Sequence, residues 1–138
     1  MKKMNILFVC KYNRFRSKIA EDYFNDINKN SSLEAKSAGI FEGSRISEFQ
    51  KKIAKKLGIK IKGKPKGIST NLLKWQDVIV IVANDVPKEL FKDNKKYGQG
   101  LLIWDIPDAK EDNENGVKRI IESIKKKVEQ LARKPKWQ

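Results

Sequence analysis

The run Met4-Asn5-Ile6-Leu7-Phe8-Val9-Cys10, continued by Lys11-Tyr12-Asn13-Arg14-Phe15-Arg16-Ser17, decides how the rest of the chain is read. Its first half is a short apolar stretch of the kind that forms a strand buried on both faces. Directly afterwards Ile19, Ala20, Tyr23, Phe24 and Ile27 recur at helical spacing on one face. A strand therefore delivers a thiol to a tight loop, and the loop runs into a helix N-terminus. Backbone N–H groups gather there, and the helix dipole adds partial positive charge. Lys11, Arg14 and Arg16 add full charges. Each effect favours thiolate over thiol, and each attracts a dianion. A thiolate facing a phosphate-shaped cradle is a nucleophile aimed at phosphorus.

Working outward, Leu33 to Ala38 reads as a short strand ended by Gly39. Phe49, Ile53, Ala54 and Leu57 mark a second helix, with Gly58 as its C-terminal cap. The lysine-rich stretch to Gly67 reads as a loop, and Ser69 to Trp75 as a helical turn capped by Ser69 or Thr70. Asp77 to Ala83 is apolar and β-branched after its first residue, which predicts a central strand of a parallel sheet. Pro87 suits the first turn of a short helix ending near Phe91, and Leu101 to Trp104 is another strand. Val117, Ile120, Ile121, Ile124, Val128 and Leu131 give the last helix one apolar face, and residues 134–138 read as a loose tail. Strands and helices thus alternate. This predicts an α/β fold, a three-layer sandwich with a four-stranded parallel sheet in the order 2-1-3-4, helices on both faces and right-handed crossovers. The expectation is a single domain over residues 1–138. Such sheets bind ligands beyond the C-terminal ends of their strands, where Cys10 lies.

Composition narrows the chemistry. The chain has 138 residues and is 39% hydrophobic, enough for a packed core. No apolar run approaches the length of a membrane span, so no membrane partner is expected. The start is basic then apolar, but the run Ile6 to Cys10 is short for a signal peptide, which predicts a cytoplasmic protein. One cysteine leaves no internal disulfide and no cysteine-rich metal site, and the absence of histidine removes every histidine-dependent mechanism. No metal and no cofactor are expected. The net charge is +14, and Lys51 to Lys66 carries eight lysines and no acid, while Asp105 to Glu114 carries five acids and one lysine. A basic surface favours anionic partners. No nucleic-acid motif and no aromatic platform lies among the lysines, so nucleic acid is not an expected partner.

Cys10, Asn13, Arg16, Ser17, Ala20 and Glu21 resemble the signature of the low-molecular-weight protein tyrosine phosphatases and the related thiol-dependent arsenate reductases. In that signature a Cys is followed after five residues by Arg-Ser, with Asn three after the Cys and Ala-Glu a little later. Ser37-Ala38-Gly39 resembles the family's motif after the second strand. Asp105-Ile106-Pro107-Asp108-Ala109 resembles its acid loop. The chain departs from the pattern at four places. Tyr12 replaces a small residue, Phe15 a second cysteine and Ala109 a proline, and Lys110 stands where an aromatic is common. Without a second cysteine, no disulfide protects the nucleophile, and no relay along three cysteines operates.

The resemblance implies a phosphate monoester hydrolase with a phosphocysteine intermediate. Cys10 is its nucleophile and Arg16 the clamp on the phosphoryl oxygens. Asp108 is the general acid, with Asp105 as competitor. Lys11, Tyr12, Asn13, Arg14, Phe15 and Ser17 are the expected substrate-binding residues. Asn13 suits left-handed backbone, and Ser17 can donate to the thiolate or cap the helix. Expected partners are a phosphorylated protein or small phosphate ester, with inorganic phosphate or another oxyanion in the Cys10 loop. Three rival readings stand beside this one: arsenate reduction with an external thiol, a phosphocarrier, and a non-enzymatic polyanion-binding module built on the lysine-rich segment and the last helix.

Overall fold

A computed structural model describes residues 3–96, 99–110 and 112–133. The elements run β1 (Met4–Cys10), α1 (Arg16–Ile27), β2 (Leu33–Gly39), α2 (Glu48–Lys56), α3 (Thr70–Trp75), β3 (Val78–Val82), a 3₁₀ turn (Lys88–Phe91), α4 (Asp93–Lys96), β4 (Gly100–Trp104) and α5 (Glu114–Arg133). The four strands form one sheet in the order β2-β1-β3-β4, and every pair is parallel. This is the predicted α/β architecture. The tail reading at 134–138 lies outside the described residues.

Side-chain alternation along the strands divides the core into two layers. Ile6, Phe8, Val78, Val80 and Val82 face one way and pack with Ile19, Ala20 and Phe24 of α1, Ile53 of α2 and the apolar stripe of α5. Phe8 anchors that layer, its ring centroid 6.1 Å from Phe24 and 5.6 Å from Trp104. Leu7, Val9, Ile79 and Ile81 face the other way, against Val86, Phe91 and the α3 residues Leu72 and Trp75. Both strand faces are covered, which is why β1 and β3 read as continuous apolar runs. Each such fully buried aliphatic side chain contributes about 1.5–3 kcal/mol through removal from water.

Local chemistry sets the boundaries. Ser47 accepts from the Gln50 N–H at the start of α2, and Ser69 accepts from the Leu72 N–H at the start of α3, which settles the cap between Ser69 and Thr70. Gly58 takes a φ of 87° just after α2, a conformation with little cost only for glycine. Asp77 stays outside β3. Its carboxylate instead accepts from the Asn5 N–H at 2.8 Å and tethers the strand entrance to β1. Pro87 sits one residue ahead of its 3₁₀ turn. The short α4 has no apolar periodicity to announce it. It is held by Asn94, which exchanges hydrogen bonds with Gln76 and donates to the Gly100 carbonyl. Among the described residues no helix is long and apolar enough to cross a membrane.

Candidate active site

Cys10 ends β1 directly opposite Gly39, the last residue of β2, at the C-terminal edge of the sheet. The chain leaving β2 then runs alongside the Cys10 loop. The N–H groups of Ile40, Phe41 and Gly43 donate to the carbonyls of Cys10, Lys11 and Tyr12 at 3.0, 2.9 and 3.1 Å. The loop carbonyls are thereby tied outward. The N–H groups of Lys11, Tyr12, Asn13, Phe15 and Arg16 donate to no described protein acceptor. A run of such unpaired amides at a helix N-terminus is an anion-binding concavity. Gly39 makes the close approach feasible. A Cβ there would stand 2.5 Å from the Phe41 carbonyl oxygen and 2.7 Å from the Asn13 nitrogen.

Asn13 holds the loop open. Its φ of 57° is the one positive value at a non-glycine position among the described residues. The side chain is completely used: Nδ2 donates to Ser17 Oγ at 2.7 Å and to Ser37 Oγ at 2.9 Å, and Oδ1 accepts from the Lys66 N–H at 3.0 Å. Ser37 in turn donates to Glu21 Oε1. Ser17 Oγ lies 3.0 Å from Cys10 Sγ. That oxygen already accepts from Asn13 Nδ2, which leaves its own hydrogen free to point at the sulfur. Ser17 does not cap α1. The helix begins at Arg16, and Phe15, at the cap position, makes no side-chain cap bond.

Arg16 is almost fully buried, with 3% of its surface exposed. Nη1 donates to the Ile106 carbonyl at 2.9 Å and Nη2 to Asp85 Oδ1 at 2.9 Å. Asp108 Oδ2 lies 3.8 Å from the same Nη2. Two of the five guanidinium donors are used in these bonds, and the rest remain for an oxyanion. Asp108 is exposed, and its Oδ1 accepts from the Ala109 N–H at 3.0 Å. Asp105 is also exposed, but no ion pair joins it to Arg16.

The remaining predicted residues divide. Tyr12 lies on the rim, 43% exposed, with its ring centroid 5.9 Å from that of exposed Phe41 and Lys11 Nζ 5.4 Å from the Tyr12 ring. Arg14 donates through Nε to the Arg45 carbonyl, and its aliphatic stem packs where a Cβ on Gly43 would otherwise sit. Phe15 differs from expectation. Its side chain is buried in the core that packs against α1. Sequence reasoning missed Asp85, Phe41 and the structural work of Ser37. For Asp85 the available signal was its place just past the C-terminal end of β3, where such sheets build their sites.

Residues 5–137 match the model described as low molecular weight phosphotyrosine protein phosphatase. The chain belongs to that family. Among solved structures, the low molecular weight protein tyrosine phosphatase from T. tengcongensis is 27% identical with a TM-score of 0.81, covering 95% of this chain and 99% of the other. The arsenate reductase from Archaeoglobus fulgidus is 26% identical with a TM-score of 0.71, covering 94% and 99%. The YwlE arginine phosphatase from Geobacillus stearothermophilus shares the fold at 22% identity and a TM-score of 0.79, covering 94% and 91%. Comparison with curated proteins gives no match.

Proposed function

We propose that this member of the family is a cysteine-dependent phosphate monoester hydrolase. The observation that carries the reading is the closed circuit around one sulfur. Unpaired amides line the Cys10 loop, Ser17 reaches Sγ, and Arg16 is anchored on Ile106 and Asp85 with donors to spare. In the first step Cys10 Sγ attacks phosphorus. The S–P bond forms as the P–O bond to the leaving group breaks, and Asp108 gives that oxygen its proton. The loop amides and Arg16 hold the equatorial oxygens, whose charge they meet without reorganising. In the second step a water passes its proton to the Asp108 carboxylate and attacks phosphorus. The S–P bond breaks, phosphate leaves, and Ser17 donates to the departing thiolate. Asp85 keeps the guanidinium in place during both steps. Family membership and the rim aromatic Tyr12 favour aryl phosphates of the phosphotyrosine type. The chain's basic charge favours delivery of phosphorylated proteins.

Arsenate is a second substrate for the same cradle, since its oxygens have the same tetrahedral arrangement and a neighbour of matching length is an arsenate reductase. With one cysteine in the chain, the two electrons for arsenite must come from an external thiol. The test of the main reading is Cys10→Ser. Hydrolysis of p-nitrophenyl phosphate falls at least about a thousandfold, as for other enzymes stripped of their nucleophile, while the circular dichroism spectrum is unchanged. Retained turnover overturns the assignment. Arsenate-dependent consumption of a small thiol without p-nitrophenyl phosphate hydrolysis points to the second substrate.

A further inference from the structure

The sheet order places the segment leaving β2 and the segments leaving β3 and β4 on opposite sides of Cys10. These two banks of the mouth differ in charge. On the β3 and β4 side the acids are drawn to Arg16, with Asp85 Oδ1 2.9 Å and Asp108 Oδ2 3.8 Å from Nη2. On the β2 side stand Lys11, which follows the nucleophile in the chain, Tyr12 and Phe41. Lys11 is half-buried, and no carboxylate lies within ion-pair distance of it among the described residues, Glu42 of the same bank included. Its ammonium instead stands 5.4 Å from the centroid of the Tyr12 ring. That ring lies 5.9 Å from the Phe41 ring, inclined to it by 36°, and the two residues are 43% and 56% exposed. The Phe41 N–H donates to the Lys11 carbonyl at 2.9 Å, which holds this bank against the loop. Tyr12 stands where the family pattern has a small residue, so the chain departs from that pattern in setting a ring beside Lys11. Two exposed rings and a cation without an acid partner, all beside an oxyanion cradle, suit a ligand that carries an aromatic ring and a second negative charge.

We propose that Lys11 is a specificity-determining residue that selects phosphotyrosine segments with an acidic residue next to the phosphorylated tyrosine. The inference rests on the hydrolase reading and narrows its substrate class. The cradle takes the phosphate, the Tyr12 and Phe41 rings lie along the phenyl ring, and Lys11 meets the neighbouring carboxylate. A half-buried cation that no carboxylate neutralises gives such a contact more than a fully hydrated one does. The acids at Arg16 repel the same carboxylate, so it is accepted on the Lys11 bank alone. The other lysines of the chain act differently. They hasten the arrival of any anionic segment through the overall field, which salt screens, whereas Lys11 discriminates at contact.

The experiment measures the binding of two fluorescently labelled phosphotyrosine peptides to the full chain carrying Cys10→Ser, by anisotropy. One peptide has Asp on each side of the phosphotyrosine and the other has Asn, so the shape is kept and only the charge changes. The salt is about 0.15 M, which screens lysines farther away than about 8 Å. The expected result is at least about fivefold tighter binding of the Asp peptide, the upper part of the range for a solvent-accessible ion pair. Adding Lys11→Met brings the two affinities within about twofold of each other, Lys11→Arg keeps the preference, and Lys11→Glu inverts it. Lys55→Met, at an exposed position of α2, leaves the preference unchanged. Absence of binding by both peptides, equal binding of the two, or an equal loss of preference in Lys11→Met and Lys55→Met overturns the proposal. The preference is read without turnover. A wild-type chain that fails to hydrolyse p-nitrophenyl phosphate while the preference persists therefore tells against the hydrolase reading alone.

Discussion

The two loops that meet at Arg16 are built in opposite ways. The loop from Cys10 to Phe15 is fixed on every side: its carbonyls are tied to residues 40–43, and Asn13 spends its whole amide on Ser17, Ser37 and Lys66. The segment from Asp105 to Lys110 has one deep anchor, buried Ile106, whose carbonyl accepts from Arg16. Its acids face solvent. The contrast fits a division of labour. A cradle for phosphoryl oxygens works best when its dipoles are already oriented. A group that gives up a proton and takes it back from water needs access and some freedom.

Breaking the exposed loop gives the larger kinetic effect. Asp108→Asn slows hydrolysis of a phenyl phosphate, a poor leaving group, by about a hundredfold or more, and slows p-nitrophenyl phosphate less, in steady-state assays of both esters. Asp105→Asn leaves both rates near wild type. The reverse pattern moves the acid to Asp105. Breaking the fixed loop shows first in stability. Gly39→Ala forces a Cβ onto backbone atoms of residues 41 and 13, which have little room to yield. It lowers unfolding free energy by about 1–3 kcal/mol in urea titration and raises KM for phosphate esters. An unchanged urea midpoint contradicts the close packing of these two segments.

A smaller effect separates a half-buried carboxyl from the exposed ones. Burial raises Asp22 from its ordinary 3.8 to about 6, against the lowering influence of its bond from Lys62. In the unfolded chain it ionises first. It therefore adds stability at low pH that is lost as pH rises from about 4 through about 6. Urea midpoints of the wild type fall across that window relative to Asp22→Asn, and identical pH profiles of the two proteins contradict the shift.

The same contrast explains what the sequence disclosed. The Cys10 loop is contiguous, so the strand, the left-handed Asn13 and the Arg16 that follows were readable from spacing and residue type. The parallel sheet was readable because β1 and β3 are apolar on both faces. Asp85 was not, because its role exists only after β3 and β4 bring residues 85 and 106 to the guanidinium. From position alone Ser17 suits a cap or a partner of the thiol, and the choice depends on the fold, which sets its oxygen 3.0 Å from Cys10 Sγ and under the Asn13 amide. Phe15 looked like a site residue from its neighbours alone. Its burial follows from the direction in which the loop enters α1, which no local pattern encodes.

The most direct test of the central claim is to catch the phosphoryl group on sulfur. Asp108→Asn protein is mixed with 32P-labelled aryl phosphate, quenched within milliseconds to seconds, digested and mapped. The account predicts label on the peptide containing Cys10, at a level approaching one per chain when the second step is slow. Turnover that proceeds with no label on that peptide contradicts it.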